Sequence, residues 1–206
     1  MSPVVILGAG GHARVLADVL KRSGNAALGF IDRDPGAPGV VGTDAQLGSL
    51  ADTHQDLHFI VGVGSVRGGH GLREKLWTMA LEAGLEPMSA VHPAAILAGD
   101  VTLGAGTVVM AGAILNPGVC TGVNVIVNTG AVLDHDVKLG DHVHVAPGCT
   151  LSGGVEIGDH SLLGTATVAR QSARVGSNVT IGAGSLLLGD YADDRTYFGR
   201  PAKAWD

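Results

Sequence analysis

The sequence predicts a small α/β domain, built like half of a Rossmann fold, followed by a parallel β-helix. Three observations predict this: a buried strand that enters a glycine-rich turn near the start, an aliphatic residue at every sixth position of the second half, and an unusual composition. The 206 residues include 33 glycines and are 46% hydrophobic, but only 3% are aromatic. Such a chain is too apolar for disorder, and its side chains suit a narrow, strand-built interior. We expect the α/β domain at 1–88, the β-helix at 89–190 and a C-terminal tail at 191–206.

The α/β domain is predicted from alternating strand and helix signals. Buried strands are expected at 4–7, 28–31 and 59–63, and helices at 14–22 and 72–83. This order of elements favours a parallel sheet, and each helix has an apolar stripe that should face it. The expected inward residues are Val15, Leu16, Val19 and Leu20 in the first helix, and Leu72, Leu76, Met79 and Ala80 in the second.

The turn after the first strand has the pattern G-x-G-x-x-A, from Gly8 to Ala13, and Asp32 follows the second strand. This resembles a dinucleotide-binding fingerprint, in which glycines let a phosphate approach the backbone at a helix N-terminus. The domain is long enough for only one mononucleotide half. The turn is therefore expected to bind a nucleotide sugar or to be a tight strand–helix connection, and an NAD-dependent oxidoreductase would require demonstrated NAD binding.

The second half carries a repeat with a period of six residues. Stepping by six from Val91 to Leu187 visits seventeen positions, of which fifteen are Val, Ile or Leu. The position four residues after each is nearly always small or β-branched. This period fits neither an α-helix nor a hairpin sheet; it is typical of a parallel β-helix in which three hexapeptides form one triangular coil. Outward positions such as Val108 are expected to tolerate larger side chains than the inward Val143 and Val155.

Composition also excludes several classes of protein. The net charge is −6 and no basic cluster occurs, so we expect no nucleic-acid binding. The uncharged stretch 101–133 is interrupted by Gly, Asn, Thr and Pro, so it is not expected to span a membrane. Two cysteines give neither a disulfide framework nor zinc spacing, and Cys149 is expected in the core. With no basic leader at the start, we expect a cytoplasmic protein.

The strongest chemical signal is His135, which the repeat places at an outward corner between Asp134 and Asp136. An imidazole beside a carboxylate is a common general-base pair. One coil later, Gly153 leaves room beside the ring and offers a backbone N–H to a carbonyl oxygen. His144 lies half a coil away, so the two histidines should meet only across a subunit interface. No metal is expected, because His135, His142 and His144 share no face. The remaining histidines are expected at the surface: His54, His58, His70, His92 and His160.

These motifs resemble the hexapeptide-repeat acyltransferases, in particular the sialic-acid O-acetyltransferase-like family, which includes bacterial N-acetyltransferases of nucleotide-linked 4-amino-4,6-dideoxysugars. The resemblance covers the whole chain. It implies a left-handed β-helix, a homotrimer with intersubunit sites, and acetyl-CoA bound between neighbouring prisms. The matching segments are Ile6-Leu7-Gly8-Ala9-Gly10-Gly11-His12, Val91-His92-Pro93, Asp134-His135-Asp136 with His144, and Gly199-Arg200-Pro201-Ala202-Lys203.

The resemblance also implies roles for single residues. His135 corresponds to the general base and Asp136 to the acid that activates it. His144 and Gly153 match residues near the thioester, and Thr165 and Ala183 match backbone contacts to the pantetheine arm. The expected reaction is acetyl transfer from acetyl-CoA to a nucleotide-linked amino sugar. The alternatives are O-acetylation of a sugar and a non-catalytic scaffold that only binds nucleotide sugar. The residues that match the nucleotide-sugar pocket are Gly10, Gly11, His12, Asp32, Arg33 and Gly64, with Gly10 standing where relatives often have Ser.

Overall fold

The computed structural model describes residues 2–54, 56–65 and 70–204, with the side chain of His70 excluded. The first unit is a five-stranded parallel sheet in the order β3-β2-β1-β4-β5. The first five strands of a Rossmann fold have this same order. The sheet therefore confirms the predicted α/β fold class. Its elements are β1 (Val4–Leu7), α1 (Gly11–Arg22), β2 (Ala27–Ile31), β3 (Val40–Gly42), α2 (Leu47–Thr53), β4 (His58–Val61), α3 (His70–Glu82) and β5 (Glu86–Pro87), with a 3-10 turn at Asp44–Gln46.

The two longer helices bury stripes that differ slightly from the predicted ones. Val15 is 47% exposed and Leu72 is 41% exposed, so neither belongs to the core. In α3 the buried positions are 73, 76, 77 and 80, which follow the helical spacing of three and four residues. The consequence is that Arg73, and not Leu72, takes the first inward position of this helix.

The second unit is a β-helix whose two-residue strands recur every six residues. In each strand the second residue points into the prism and the first points out, and the strands up to residue 169 pair in parallel with the strand 18 residues later. In the last coil the spacing shortens to 16 residues, between Arg174 and Asp190 and between Thr180 and Thr196. The strands are β6 (Ala90–Val91), β7 (Ile96–Leu97), β8 (Val108–Val109), β9 (Ile114–Leu115), β10 (Cys120–Thr121), β11 (Ile126–Val127), β12 (Val132–Leu133), β13 (Lys138–Leu139), β14 (His144–Val145), β15 (Thr150–Leu151), β16 (Glu156–Ile157), β17 (Leu162–Leu163), β18 (Val168–Ala169), β19 (Arg174–Val175), β20 (Thr180–Ile181), β21 (Leu186–Leu187) and β22 (Asp190–Tyr191).

Corners between these strands also obey the six-residue period. From Gly106 to Gly184, every sixth residue has a positive φ, the left-handed region that glycine adopts freely. Several of these positions are not glycine, including Asp136, His142 and His160, with φ near 60°. Asp, Asn and His tolerate this region better than most residues, so functional side chains can stand at corners with modest backbone strain.

The three faces of the prism have different outward side chains. The docked face (Ala90, Val108, Ile126, His144, Leu162 and Thr180) is buried throughout, and its first three residues pack in one cluster with α1 and β1. Val108, which the repeat places outward, is therefore also a core residue. The aliphatic face (Ile96, Ile114, Val132, Thr150, Val168 and Leu186) is half-buried or exposed, and Ile96 is 63% exposed. The charged face carries Thr102, Cys120, Lys138, Glu156, Arg174 and Asp190.

The end of the chain closes the prism. The rings of Tyr191 and Tyr197 meet edge to face at 4.9 Å over the last coil. Strand β23 (Thr196–Gly199) extends the sheet of the docked face, and β24 (Ala202–Ala204) returns antiparallel to it. Within the described residues, no helix combines the length and apolarity needed to cross a membrane.

Candidate active site

His135 lies two residues after β12, at the corner between the aliphatic and charged faces. Its Nδ1 is 2.9 Å from Oδ2 of Asp136. Its backbone N–H donates to Oδ1 of Asp134 at 2.8 Å, and the Nδ2 of Asn116 donates to the same oxygen at 2.9 Å. With Nδ1–H directed at Asp136, the lone pair of the neutral ring is on Nε2. The ring is thus fixed in orientation while its basic nitrogen remains open to a ligand.

Electrostatics at this corner favour a basic imidazole. The hydrogen bond to the Asp136 carboxylate raises the pKa of His135 above its ordinary value. The backbone N–H of His135 and the side chain of Asn116 lower the pKa of Asp134. Asp134 is therefore ionised and held by its two donors, while Asp136 is the carboxylate that faces the ring.

Gly153 lies against the His135 ring, as the 18-residue spacing predicts. A Cβ at this position would collide with Nε2 and would lie 2.5 Å from Cε1 and 3.0 Å from Cδ2. No larger residue fits while His135 keeps this conformation. The N–H of Gly153 finds no acceptor within the described residues.

Thr165 and Ala183 are stacked 18 residues apart at another corner, where the docked face ends. Both residues are exposed, and neither backbone N–H has an acceptor in the parts of the chain that the structure describes. The carbonyl of Thr165 accepts the N–H of Gly184 at 2.7 Å, which holds the two coils together. This corner therefore presents a short column of outward N–H groups.

His144 stands on the docked face, away from the corner of His135. It is buried, and its Nδ1 accepts the backbone N–H of Ser65 at 3.1 Å, while Nε2 lies 3.2 Å from Nδ2 of Asn128. Burial, reinforced by the charges of Arg73 and His12, lowers the pKa of His144 to about 3. His144 is thus neutral at physiological pH, and the two histidines occupy different faces of one chain.

A second candidate site lies at the carboxyl edge of the sheet, between β1 and β4. A cavity of about 360 Å³ is lined by residues 8–12, Asp32 and residues 62–65. It contains Gly10, Gly11, His12 and Gly64, and the N-terminus of α1, which begins after Gly10 without a side-chain cap. Ligands of open α/β sheets bind at this switch point between neighbouring strands. Five of the six residues predicted for the nucleotide-sugar pocket, all except Arg33, lie together at this place.

Asp32 shapes this pocket by holding the glycine turn. Its carboxylate accepts the N–H of Ala9 at 2.8 Å and the N–H of Asp34 at 3.1 Å. Arg33 is mostly exposed, lies 3.6 Å from Asp44, and borders an adjoining cavity of about 180 Å³. Burial and the charge of Arg73 lower the pKa of His12 to about 4, and its Nε2 is without a hydrogen-bond partner among the described residues.

Other histidines are less exposed than expected. His92 is buried and its Nδ1 accepts the N–H of Ala94, so its surface prediction was wrong. His142 stacks on His160 at 4.8 Å beneath α3, where Asn124 contacts His142 and Glu74 lies 4.0 Å from His160. The cause is the docking of α3 over this corner, which the repeat alone does not reveal. His54 and His58 are half-buried, and the side chain of His70 lies outside the described residues.

Two further features bear on the chemistry. Cys149 is buried in the prism, which confirms its core role, and burial raises the pKa of its thiol to about 11. No group of three His, Cys, Asp or Glu side chains among the described residues is placed to hold a metal ion. A larger cavity of about 660 Å³ runs along the charged face, where Glu156 pairs with Lys138 and Arg174. One carboxylate is thus shared between two cations.

A nucleotide-type α/β domain docked on a hexapeptide-repeat prism, with a His–Asp pair at a corner, defines the class of hexapeptide acyltransferases. Residues 3–75 match the family described as the PglD N-terminal domain. The acetyltransferase domain of PglB from Neisseria gonorrhoeae FA1090 is 35% identical over 100% of both chains, with a TM-score of 0.90. PerB from Caulobacter crescentus, in complex with CoA and GDP-perosamine, is 36% identical over 100% of this chain and 98% of its own, with a TM-score of 0.92.

A structure of the PglB domain in complex with acetyl coenzyme A also matches, at 35% identity over 98% of both chains and a TM-score of 0.89. The comparison with curated proteins finds no significant match. The chain belongs to the left-handed β-helix acyltransferases of the sialic-acid O-acetyltransferase-like family. The resemblance seen in its motifs is thereby confirmed across both units.

Proposed function

We propose that this protein transfers the acetyl group of acetyl-CoA to the amine of a nucleotide-linked 4-amino-4,6-dideoxysugar, in the biosynthesis of a surface glycan or glycoprotein. The observation that carries the proposal is His135, oriented by Asp136 with its basic nitrogen open against Gly153. Similarity to PerB, which was solved with CoA and GDP-perosamine, supports both the acyl donor and the acceptor class.

In the proposed reaction, the sugar amine attacks the thioester carbonyl carbon of acetyl-CoA. Nε2 of His135 takes the amine proton as the new C–N bond forms, and Asp136 stabilises the resulting imidazolium. The N–H of Gly153 stabilises the oxyanion. When the tetrahedral intermediate collapses, the C–S bond breaks, and the CoA thiolate leaves and takes up the proton.

Acetyl-CoA binding is assigned to two places. The outward N–H groups of Thr165 and Ala183 suit the amide carbonyls of the pantetheine arm, because an extended amide chain needs donors at spaced intervals. His144 and Gly153 are assigned to the thioester end. Since a nucleophile positioned in this way needs no metal ion, we propose none.

The nucleotide sugar is assigned to the cavity between β1 and β4. Backbone N–H groups of Gly10, Gly11 and His12 at the start of α1 favour the pyrophosphate, since a helix N-terminus attracts anions. Asp32 still has acceptor capacity for a ribose hydroxyl beyond its two backbone bonds. Arg33 and Gly64 border the remaining part of the nucleotide.

We propose a homotrimer in which each site lies between two subunits, in the cytoplasm. His135 and the corner of Thr165 and Ala183 lie on different edges of one prism, so one chain does not assemble them alone. The aliphatic face supports this arrangement, because a largely apolar stripe that is half-buried or exposed in the single chain indicates an interface. A threefold axis would bury one such face from each prism.

A thiol-release assay with acetyl-CoA against a panel of UDP- and GDP-linked amino sugars tests the proposal. We expect release only with 4-amino sugars, and we expect His135→Ala to lose it. An acetyl product that is cleaved by mild alkali would indicate O-acetylation. Tight nucleotide-sugar binding without any thiol release would indicate the non-catalytic scaffold.

A further inference from the structure

Building on the proposed function, we propose that Ser65 and Arg73, both in the α/β domain, position His144 so that its Nε2–H faces the acyl donor. His144 then donates a hydrogen bond to the thioester carbonyl and cannot act as a second base. Ser65 and Arg73 are positioning residues, since they act through the His144 ring. The nucleotide-binding domain thereby sets the chemistry of the acyl site.

The contact with Ser65 sets the protonation state of the His144 ring. The backbone N–H of Ser65 donates to Nδ1 at 3.1 Å, so this nitrogen carries no proton. A neutral imidazole has one proton, which must then be on Nε2. A proton on Nδ1 would face the backbone N–H of Ser65, which cannot turn away, whereas the donor beside Nε2 belongs to the side chain of Asn128, which can rotate. The neutral ring with a proton on Nε2 is therefore the form that the contact with Ser65 selects.

Nε2–H of His144 faces a place that has no acceptor from the protein among the described residues. Its neighbour at 3.2 Å is Nδ2 of Asn128, which is also a donor, because Oδ1 of Asn128 already accepts the N–H of Thr129 at 2.8 Å. Nε2–H of His144 and the amide of Asn128 are therefore two adjacent donors without an acceptor, and together they could bind an oxygen atom of a ligand. A carbonyl oxygen that gains negative charge during acyl transfer is such an acceptor.

Arg73 is only 1% exposed although its side chain carries a charge. No carboxylate pairs with it among the described residues, and its Nε has no partner there. Its other nitrogens donate to the carbonyl of Val63 at 2.7 Å, to Oδ1 of Asn124 at 2.8 Å, and to the carbonyl of Asn124. An unpaired buried charge lowers the stability of the fold. We therefore expect Arg73 to have a functional role that offsets this cost.

Arg73 serves that role in two ways. By bonding Val63 it fixes the 62–65 loop, which contains the Ser65 N–H. Its positive charge also opposes protonation of His144 and His12, in accord with the lowered pKa of both rings. The same loop lines the nucleotide cavity, and a Cβ at Gly64 would lie 3.4 Å from Cε1 of His144. One loop thus lies against both the proposed nucleotide-sugar cavity and the His144 ring.

The direct test is ¹⁵N NMR of the histidine rings in the intact, ligand-free protein, with the His144 signals assigned by their loss in His144→Gln. We expect His144 to carry its proton on Nε2 at every pH from 5 to 8. Ser65→Pro removes the N–H and should mix the two tautomers, while the matched Ser65→Ala keeps the N–H and the tautomer. A His144 proton on Nδ1 in the wild-type protein, or an unchanged tautomer in a folded Ser65→Pro, would overturn the proposal.

Kinetic measurements on His144 variants distinguish a hydrogen-bond donor from a general base at this position. Gln places an amide N–H near the former Nε2 but takes no proton, so His144→Gln should retain at least about ten-fold more kcat than His144→Ala, since one such donor is worth about 10²–10³-fold. Equal losses in both variants would contradict the donor role. Because burial is the larger cause of the lowered pKa, Arg73→Met should raise the pKa of His144 only in part, and Arg73→Lys should keep it near the wild-type value. An unchanged pKa of His144 in a folded Arg73→Met would remove Arg73 from the proposal. If no amino sugar supports thiol release, the proposed function fails while the NMR result for His144 is still obtained.

Discussion

Gly153→Ala should remove activity without unfolding the protein. The backbone of Gly153 does not have a positive φ, so alanine is allowed there. The added Cβ would lie 2.5 Å from Cε1 of His135, whereas ordinary carbon contacts are about 3.5–4.0 Å. The ring must therefore retreat by about 1 Å or more. Because the His135 side chain is half exposed, it can swing into solvent with little effect on folding.

The kinetic cost follows from that displacement. A retreat of this size stretches or breaks the 2.9 Å contact between Nδ1 and Asp136 and moves Nε2 from its position. Misplacement by about 1 Å costs on the order of 10²-fold, and complete loss of a general base costs about 10² to 10⁴-fold. We expect kcat/KM for acetyl transfer to fall by about 10²-fold or more, with a melting temperature close to that of the wild type.

The neighbouring Gly154 provides a matched control. Its φ is 67°, and a Cβ there would lie 3.6 Å from Oγ of Ser172, so alanine introduces backbone strain but no collision with His135. Gly154→Ala should cost about 1–2 kcal/mol of stability and little kcat/KM. A Gly153→Ala variant with wild-type kcat/KM would refute the assignment of His135 as the group that meets the amine.

Three more outcomes are expected. Asp136→Asn should lower the pKa of His135, because it removes the carboxylate that raises it; a base must be neutral, so the acid limb of kcat/KM should move to lower pH while the maximum falls, and an unmoved limb would contradict the pairing. Val108→Phe and Val143→Phe should each cost about 1–3 kcal/mol in chemical denaturation, since both side chains are buried; a neutral Val108→Phe would disagree with the packing of α1 on the docked face. Val132→Asp on the aliphatic face should give a smaller particle in light scattering with an unchanged circular dichroism spectrum, and an intact trimer would rule this face out as the interface.

The β-helix was largely predictable because nearly every hexapeptide has an aliphatic residue at the same position. Each coil repeats the same inward and outward constraint, so the register found at Leu133 also holds at Leu151 and Leu187. The proximity of His135 and Gly153 followed from the same arithmetic. A pattern that repeats many times is strong evidence for a fold, because a single exception does not change the register. Ala169, at a position where most repeats have Val, Ile or Leu, is such an exception.

The sequence did not indicate what covers the outward positions. The burial of Val108 depends on the docking of α1 against the prism, and the partial burial of His160 depends on the docking of α3; both are contacts between distant segments. Arg73 shows the limit most clearly, because an arginine on an otherwise apolar helix stripe is ordinarily expected at the surface. Its apolar neighbours at positions 76, 77 and 80 were the available signal, although only the structure shows which carbonyls receive its donors.

The repeat also sets rules for how the length of this chain can change. An insertion of 18 residues at a corner adds one coil, about 4.8 Å of prism, and leaves each downstream residue on its own face. An insertion of six keeps the interior apolar but rotates everything downstream by one third of a turn, so that His135 and Gly153 would part if it fell between them. A length that is not a multiple of six breaks the register between inward and outward positions. Viable indels within the prism should therefore be whole coils, or excursions at a corner that return to the same register.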